Sequence, residues 1–128
     1  MYTWRDEIRN WLPSIKSSDI KLLKTGKDRF DDNACISIFS YGLATRRADE
    51  IEAKKFKAAI ADEAHYLKSR DSKRSKCLIP IFTSAKRCVL ISGTPMLARP
   101  VEVFNLLRIL RPDIFGNFKD FSDRYCNP

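Results

Sequence analysis

No stretch of the 128 residues approaches the ~18–20 apolar residues that a membrane-spanning helix needs. Met1 to Arg9 carries charge and no apolar core, so a secretory leader is not expected, and no membrane partner is. There is one histidine, His65, and the four cysteines (Cys35, Cys77, Cys88 and Cys126) include no Cys-x-x-Cys pair. A zinc site needs closer ligand spacing than that. Cys35 and Cys88 lie inside apolar runs and read as buried thiols, which suits a reducing compartment. Glycine is scarce, with four residues, and the only Gly-Lys pair is Gly26-Lys27. Lys21 stands where the pattern Gly-x-x-x-x-Gly-Lys-Ser/Thr requires glycine, and Asp28 follows where it requires a hydroxyl. These residues therefore contain no phosphate-gripping loop of that type. Internal repeats and low-complexity segments are lacking too.

What is present suits a single domain, 1–128. Hydrophobic residues make up 44% and aromatics 11%, which argues against a disordered chain. A globular chain of this size buries roughly 65–70% of its unfolded surface. Lysine and arginine number 24 against 16 aspartate and glutamate, a formal net charge of +8. Much of that excess falls between Tyr66 and Arg87: Lys68, Arg70, Lys73, Arg74, Lys76, Lys86 and Arg87 face only Asp71. Such a stretch either meets an anionic partner such as nucleic acid or forms a solvated basic face.

The patterning predicts a helix from Trp4 to Leu12, with Thr3 as cap, Asp6 completing a capping box, and Pro13 ending it. Trp4, Ile8, Trp11 and Leu12 share one face, where core or interface packing is expected. Asp19 to Lys24 reads as a strand followed by a Thr25–Asp28 turn. Ile36 to Tyr41 reads as a second strand, closed by Gly42. Leu43 to Lys55 is a charged helical stretch. Lys57 to Ala61 and Cys88 to Ile91 are short apolar runs without alternation, which suits strands buried on both faces of a parallel sheet. Between them, Arg74 to Ala85 is helical, with Pro80 expected to bend or break it. Pro100 opens a helix to Leu110, stopped by Pro112. Glu102, Asn105 and Arg108 mark its wet side; Val103, Phe104, Leu107 and Leu110 mark its buried side. Phe118, Phe121 and Tyr125 recur at helical spacing as core contacts. Strands alternating with helices imply an α/β fold with a mostly parallel sheet.

In such sheets, ligand chemistry gathers at the carboxyl ends of the strands. Asp62-Glu63-Ala64-His65 follows one strand and Ser92-Gly93-Thr94-Pro95 follows the other. Adjacent carboxylates at a strand end suit a magnesium–nucleotide site. Magnesium takes oxygen ligands and keeps several waters, so one carboxylate suffices to hold it. The other carboxylate is then placed to orient or deprotonate an attacking water. The alternatives are an acidic pair starting a helix, where the dipole favours it, and an ordinary Ser-Gly-Thr-Pro turn.

In this order and spacing the two segments resemble motif II (the Walker B box) and motif III of the SWI/SNF-related helicase-like ATPases of superfamily two. Flanking stretches agree. Trp4 to Pro13 resembles that family's Trp-x-x-Glu…Trp segment after motif Ia, and Ile36 to Tyr41 resembles motif Ib. Tyr66-Leu67-Lys68-Ser69 fits the continuation of motif II, and Leu110, Pro112 and Phe115 fit its Leu-x-Pro-x-x-Phe pattern. Thr25 to Arg29, Arg99-Pro100 and Arg124-Tyr125-Cys126 look like the annealing-helicase, fork-remodelling subgroup.

The resemblance implies a RecA-like parallel sheet flanked by helices, incomplete because the Walker A strand and loop are lacking. The chain would be part of the first RecA-like lobe of an ATP-dependent DNA translocase of DNA repair or replication-fork remodelling, in the nucleus. Its cofactors would be ATP and Mg²⁺. Asp62 would hold the metal through water, Glu63 would activate water, and Ala64 and His65 would complete the box. Ser92, Gly93 and Thr94 would couple ATP state to DNA contact and lobe movement. His65 either bonds across to the second loop or lobe or is a half-buried structural residue. Double-stranded or branched DNA and a second RecA-like lobe, with its arginine finger, would be the partners. Lys68, Arg70, Lys73 and Arg74 either reach DNA phosphates or form a solvated face.

Two other readings stand beside this one. The chain as a non-catalytic nucleic-acid- or partner-binding module would keep the motifs as relics. A DEAH-type RNA helicase would usually carry Ser-Ala-Thr at motif III, against Ser92-Gly93-Thr94 here. Without a phosphate loop and a trans arginine, the 128 residues by themselves are expected to hydrolyse no appreciable ATP. An open sheet edge is expected to leave them poorly soluble or partly molten.

Overall fold

The structure, a computed structural model, describes residues 1–94 and 99–126. The chain divides into two compact units, Met1–Arg47 and Ala48–Pro128.

The first unit opens with helix α1 (Tyr2–Trp11). The helix starts ahead of Thr3, with Met1 at its cap position and no side-chain cap, so the expected Thr3–Asp6 capping box does not form. Asp6 instead accepts from Arg5 Nε at 2.8 Å. No residue of α1 is buried, and Trp11 is 79% exposed, its indole N–H donating to Glu7 at 2.8 Å. Trp11 is therefore outside the core, because its ring finds a polar partner one turn back along its own helix.

Strands β1 (Ile20–Leu23) and β2 (Ile36–Phe39) pair in parallel, Ile20 opposite Ile36 and Leu23 opposite Phe39. Between them, the Asp28 carboxylate accepts from the backbone N–H groups of Lys24 at 2.6 Å and Thr25 at 2.8 Å. Those bonds hold the Asp28 carboxyl below its ordinary pKa, the Thr25 amide contributing most. A phosphate loop aims its amides at a phosphate; here the turn's own carboxylate takes that place.

Gly42 does not close β2. Ser40 caps helix α2 (Tyr41–Arg46), accepting from Leu43 N–H at 3.3 Å, and Gly42 lies inside the helix. The expected continuous helix to Lys55 breaks at Arg47, whose guanidinium donates to the Asp28 carbonyl at 2.6 Å and lies over the Phe30 ring. Leu23, Leu43 and Ala44 are buried in this unit. Cys35, read as a buried thiol, is exposed, because it precedes β2 rather than pointing inward from it.

The second unit starts with helix α3 (Ala48–Lys54) and strand β3 (Ala58–Ala61). Strand β4 (Arg87–Leu90) pairs with β3 in parallel, Ile60 opposite Val89 and Ala61 opposite Leu90. The parallel pairing is as expected, but among the described residues it forms two two-stranded sheets rather than one. Nor are β3 and β4 buried on both faces. Ala61 is buried, whereas Ile60 and Val89, side by side on the other face, are 56% and 50% exposed. Cys88, on the packed face, is half-buried, and desolvation raises its thiol pKa.

Helix α4 (Lys73–Ser84) is capped by Ser72, which accepts from Ser75 N–H at 3.2 Å. The helix runs through Pro80 without ending there. An interior proline costs about 3 kcal/mol; burial of Leu78 and Ile79 beside it offsets that loss.

The segment after Pro100 forms a 3-10 turn (Pro100–Val103) and then helix α5 (Phe104–Leu110). A 3-10 turn advances about 20° more per residue than an α-helix. The face expected from uniform helical periodicity is therefore rotated. Asn105, expected on the wet side, is 1% exposed, and Leu110, expected inside, is 46% exposed. Helix α6 (Pro112–Phe115) follows, then α7 (Phe118–Tyr125), capped by Asn117. Phe104, 1% exposed, packs against Phe118 and Phe121 with ring centroids 5.1 and 5.2 Å apart. Phe118 and Phe121 thus serve the core as expected, whereas Tyr125, expected there too, is 50% exposed and only stacks on Phe121 from the last turn of the helix. No helix among the described residues is long and apolar enough to cross a membrane.

Candidate nucleotide-site turn

The acidic turn and the serine loop meet where β3 and β4 end. The parallel ladder extends one step past both strands. Ile91 N–H donates to the Ala61 carbonyl, and Ala64 N–H donates to the Ile91 carbonyl, each at 2.8 Å. The chain between those bonds must reverse sharply, and Glu63 takes the left-handed conformation with φ 50° and ψ 48°. That region costs a non-glycine residue roughly 1–2 kcal/mol, and such local strain gathers at functional sites. Asp62 Oδ1 accepts from Glu63 N–H at 2.9 Å and steadies the turn. Asp62 and Glu63 are both exposed, while Ala64 is fully buried beneath them. A larger side chain at position 64 would press into the core.

The 3-10 turn Ala64–Leu67 then carries His65 back over the serine loop. His65 Nδ1 lies 3.3 Å from Ser92 Oγ and 3.2 Å from Glu63 Oε2. Thr94 N–H donates to Ser92 Oγ at 3.3 Å, so the same hydroxyl shapes its own loop. Gly93 has open space where a Cβ would stand and no positive φ. Pro95, the last residue of the expected motif, lies outside the described residues.

The donor set suits a hard cation such as magnesium. Among the described residues, no group of three or more His, Cys, Asp or Glu converges. The exposure of Asp62 and Glu63 leaves room for the waters and phosphate oxygens that such an ion keeps.

The basic residues after the turn are placed differently from one another. Lys68 lies 3.7 Å from Glu102, the Arg70 guanidinium stacks 3.7 Å from the Phe118 ring centroid, and Arg74 sits over the Tyr66 ring at 5.1 Å. Lys73 is exposed in the first turn of α4. That is the helix end where the dipole disfavours a cation.

Sequence reasoning missed Asn105 and Ser75. Asn105 Nδ2 donates to the carbonyls of Leu67 at 2.9 Å and Lys68 at 3.2 Å, and Ser75 Oγ donates to the same Leu67 carbonyl at 3.0 Å. The available signal was a lone amide within the otherwise apolar run from Val103 to Leu107.

The chain matches the SNF2-related domain over residues 1–128. It belongs to that family of SWI/SNF-related, helicase-like proteins. It is 38% identical over 131 residues to human "DNA annealing helicase and endonuclease ZRANB3", covering 98% of this chain and 12% of that protein. It is also 38% identical over 126 residues to the "SWI/SNF-related matrix-associated actin-dependent regulator of chromatin subfamily A-like protein 1" of Xenopus laevis, covering 98% of this chain and 13% of that protein. The Drosophila melanogaster protein of the latter name is 34% identical over 125 residues, with 98% and 16% covered. The chain thus spans about an eighth of the first two relatives' length.

Proposed function

We propose that these residues form the water-activating half of the ATP site in an ATP-dependent DNA translocase of the annealing-helicase type. Its work would be DNA repair or replication-fork remodelling in the nucleus. Double-stranded or branched DNA and a second RecA-like lobe would be its partners. The observation that carries this reading is the bridge from the acidic turn to the serine loop, built by the Ala64–Ile91 hydrogen bond and the His65–Ser92 contact. Asp62 and Glu63 both stay exposed beside that bridge, as a site for a hydrated cation requires.

Bound Mg²⁺–ATP would supply the reacting phosphoryl group and the charge that neutralises its oxygens. Asp62 presents the oxygen that would hold the metal through water. Glu63, exposed at the turn, would orient the attacking water and take its proton. Ser92, Gly93 and Thr94, reached through His65, would carry the nucleotide state toward DNA contact. The Gly26-Lys27 turn would not grip phosphate, since Asp28 accepts from the Lys24 and Thr25 N–H groups that open it.

The test is DNA-stimulated ATP hydrolysis by the complete protein carrying this chain, compared with its Glu63→Gln variant. Loss of a positioned general base is expected to lower kcat by about 10²–10⁴-fold, with ATP binding retained. Equal turnover in the two proteins overturns the assignment of Glu63. DNA binding that falls steeply with salt, without any ATP turnover, supports the non-catalytic module instead.

A further inference from the structure

We propose that Asn105 is a positioning residue: its buried amide fixes the turn that carries His65, and so holds the imidazole against Ser92. The chain after Glu63 leaves the ladder as a single 3-10 turn, ending at Leu67. A turn that short leaves its last carbonyls without intrahelical partners. In a buried setting each such carbonyl needs a donor from elsewhere. Leu67 is fully buried, and its carbonyl receives the Ser75 hydroxyl from α4 and the Asn105 amide from α5. The second N–H of that amide serves the Lys68 carbonyl.

The donors themselves are locked. Ser75 is fully buried and Asn105 is 1% exposed. Ser72 Oγ, which caps α4, lies 3.0 Å from Ser75 Oγ. The half-buried Lys68–Glu102 ion pair joins the residue after the turn to the 3-10 segment ahead of α5. The turn is thus pinned at both ends: by the Ala64–Ile91 bond at its start and by Asn105 and Ser75 at its finish. His65 lies between those two anchors. In sequence, α5 follows the serine loop, so the amide joins the element after motif III to the turn after motif II. Its link to ATP turnover rests on the function proposed above; its link to the geometry of the turn does not.

The experiment is hydrogen–deuterium exchange, read by mass spectrometry on the complete protein, for Asn105→Leu, which keeps the side chain's approximate shape and removes the donors. Losing a buried donor of this kind is expected to speed exchange of peptide 62–68 by about tenfold or more. Peptides from β1, β2 and α7 should keep their wild-type rates. In parallel, kcat for DNA-stimulated hydrolysis should fall several-fold with KM for ATP unchanged. Should Asn105→Leu fail to fold, Ser75→Ala removes one of the two bonds to the same carbonyl and should speed exchange in peptide 62–68 to a smaller degree. Unchanged exchange in that peptide overturns the proposal. So does acceleration spread evenly over the chain, which marks general packing. If the wild type turns over no ATP, the functional reading fails while the exchange result still decides the role of Asn105.

Discussion

His65 Nδ1 stands 3.3 Å from the hydroxyl of Ser92, a residue 27 positions away, and 3.2 Å from the carboxylate of Glu63. Glu63 Oε2 and Ser92 Oγ therefore both stand beside the same ring nitrogen, which links the acidic turn to the serine loop. A double-mutant cycle of His65→Ala and Ser92→Ala, read by chemical denaturation, should give a coupling energy of about 0.5–1.5 kcal/mol. Strict additivity would show that the contact is not formed.

Asp28 gives the first unit a pH dependence of known sign. Its folded pKa lies below the ordinary carboxylate value because it accepts from Thr25 and Lys24 N–H. The stabilisation is fully present above the unfolded pKa of about 3.9 and is lost as pH falls through the lower folded value. Asp28→Asn should unfold at lower denaturant than the wild type at pH 7. The gap should close as both are titrated below pH ~4. A gap that stays constant into strong acid would contradict the turn geometry.

Gly116 is a packing requirement rather than a conformational one. Its backbone is ordinary αR, with φ −68°. A Cβ there would stand 2.7 Å from the Pro112 carbonyl oxygen, a backbone atom with little room to yield. Gly116→Ala should destabilise by about 1–3 kcal/mol, as overpacking does. Gly26→Ala, with nothing within 4 Å of the added carbon and no positive φ, should leave stability nearly unchanged. Thermal melts of the two variants test the contrast.

The basic stretch after the acidic turn should separate into structural and ligand-facing residues. Arg70→Ala removes the stack on Phe118 and should cost about 0.5–1 kcal/mol of stability. Lys73→Ala, which removes a cation from the end of α4 where the dipole disfavours it, should not lower the melting midpoint. If Lys73 meets a DNA phosphate, the variant should also reduce the slope of log affinity against log salt by about 1. Salt titrations of DNA binding check this; an unchanged slope assigns Lys73 to the solvated surface.

The sequence showed the strands and both loops clearly, because short apolar runs ending in polar turns carry a local pattern. It also showed Phe118, Phe121 and Tyr125 as one face of a helix. It misled at Asn105, because a 3-10 turn ahead of α5 changes the rotation per residue, and no residue type between Pro100 and Phe104 announces it. Trp11 misled as well: an aromatic on a periodic face reads as core, yet Glu7 satisfies its N–H in the open. Of the candidate site, Asp62, Glu63 and Ser92 were legible as residues, and a bond from His65 to the second loop was one of two readings open for it; the contact with Ser92 decides for that one.

The sequence by itself determined which side chains are the candidates for chemistry and that they follow strands, since both are written in adjacent letters. It also determined family membership, which rests on motifs in order. Only the tertiary structure decided that Ile91 and Ala64 share a hydrogen bond, that Glu63 takes a left-handed backbone, and that an amide from α5 holds the turn. Those features depend on where the ends of β3 and β4 fall relative to one another, and parallel pairing between distant segments has no local signature.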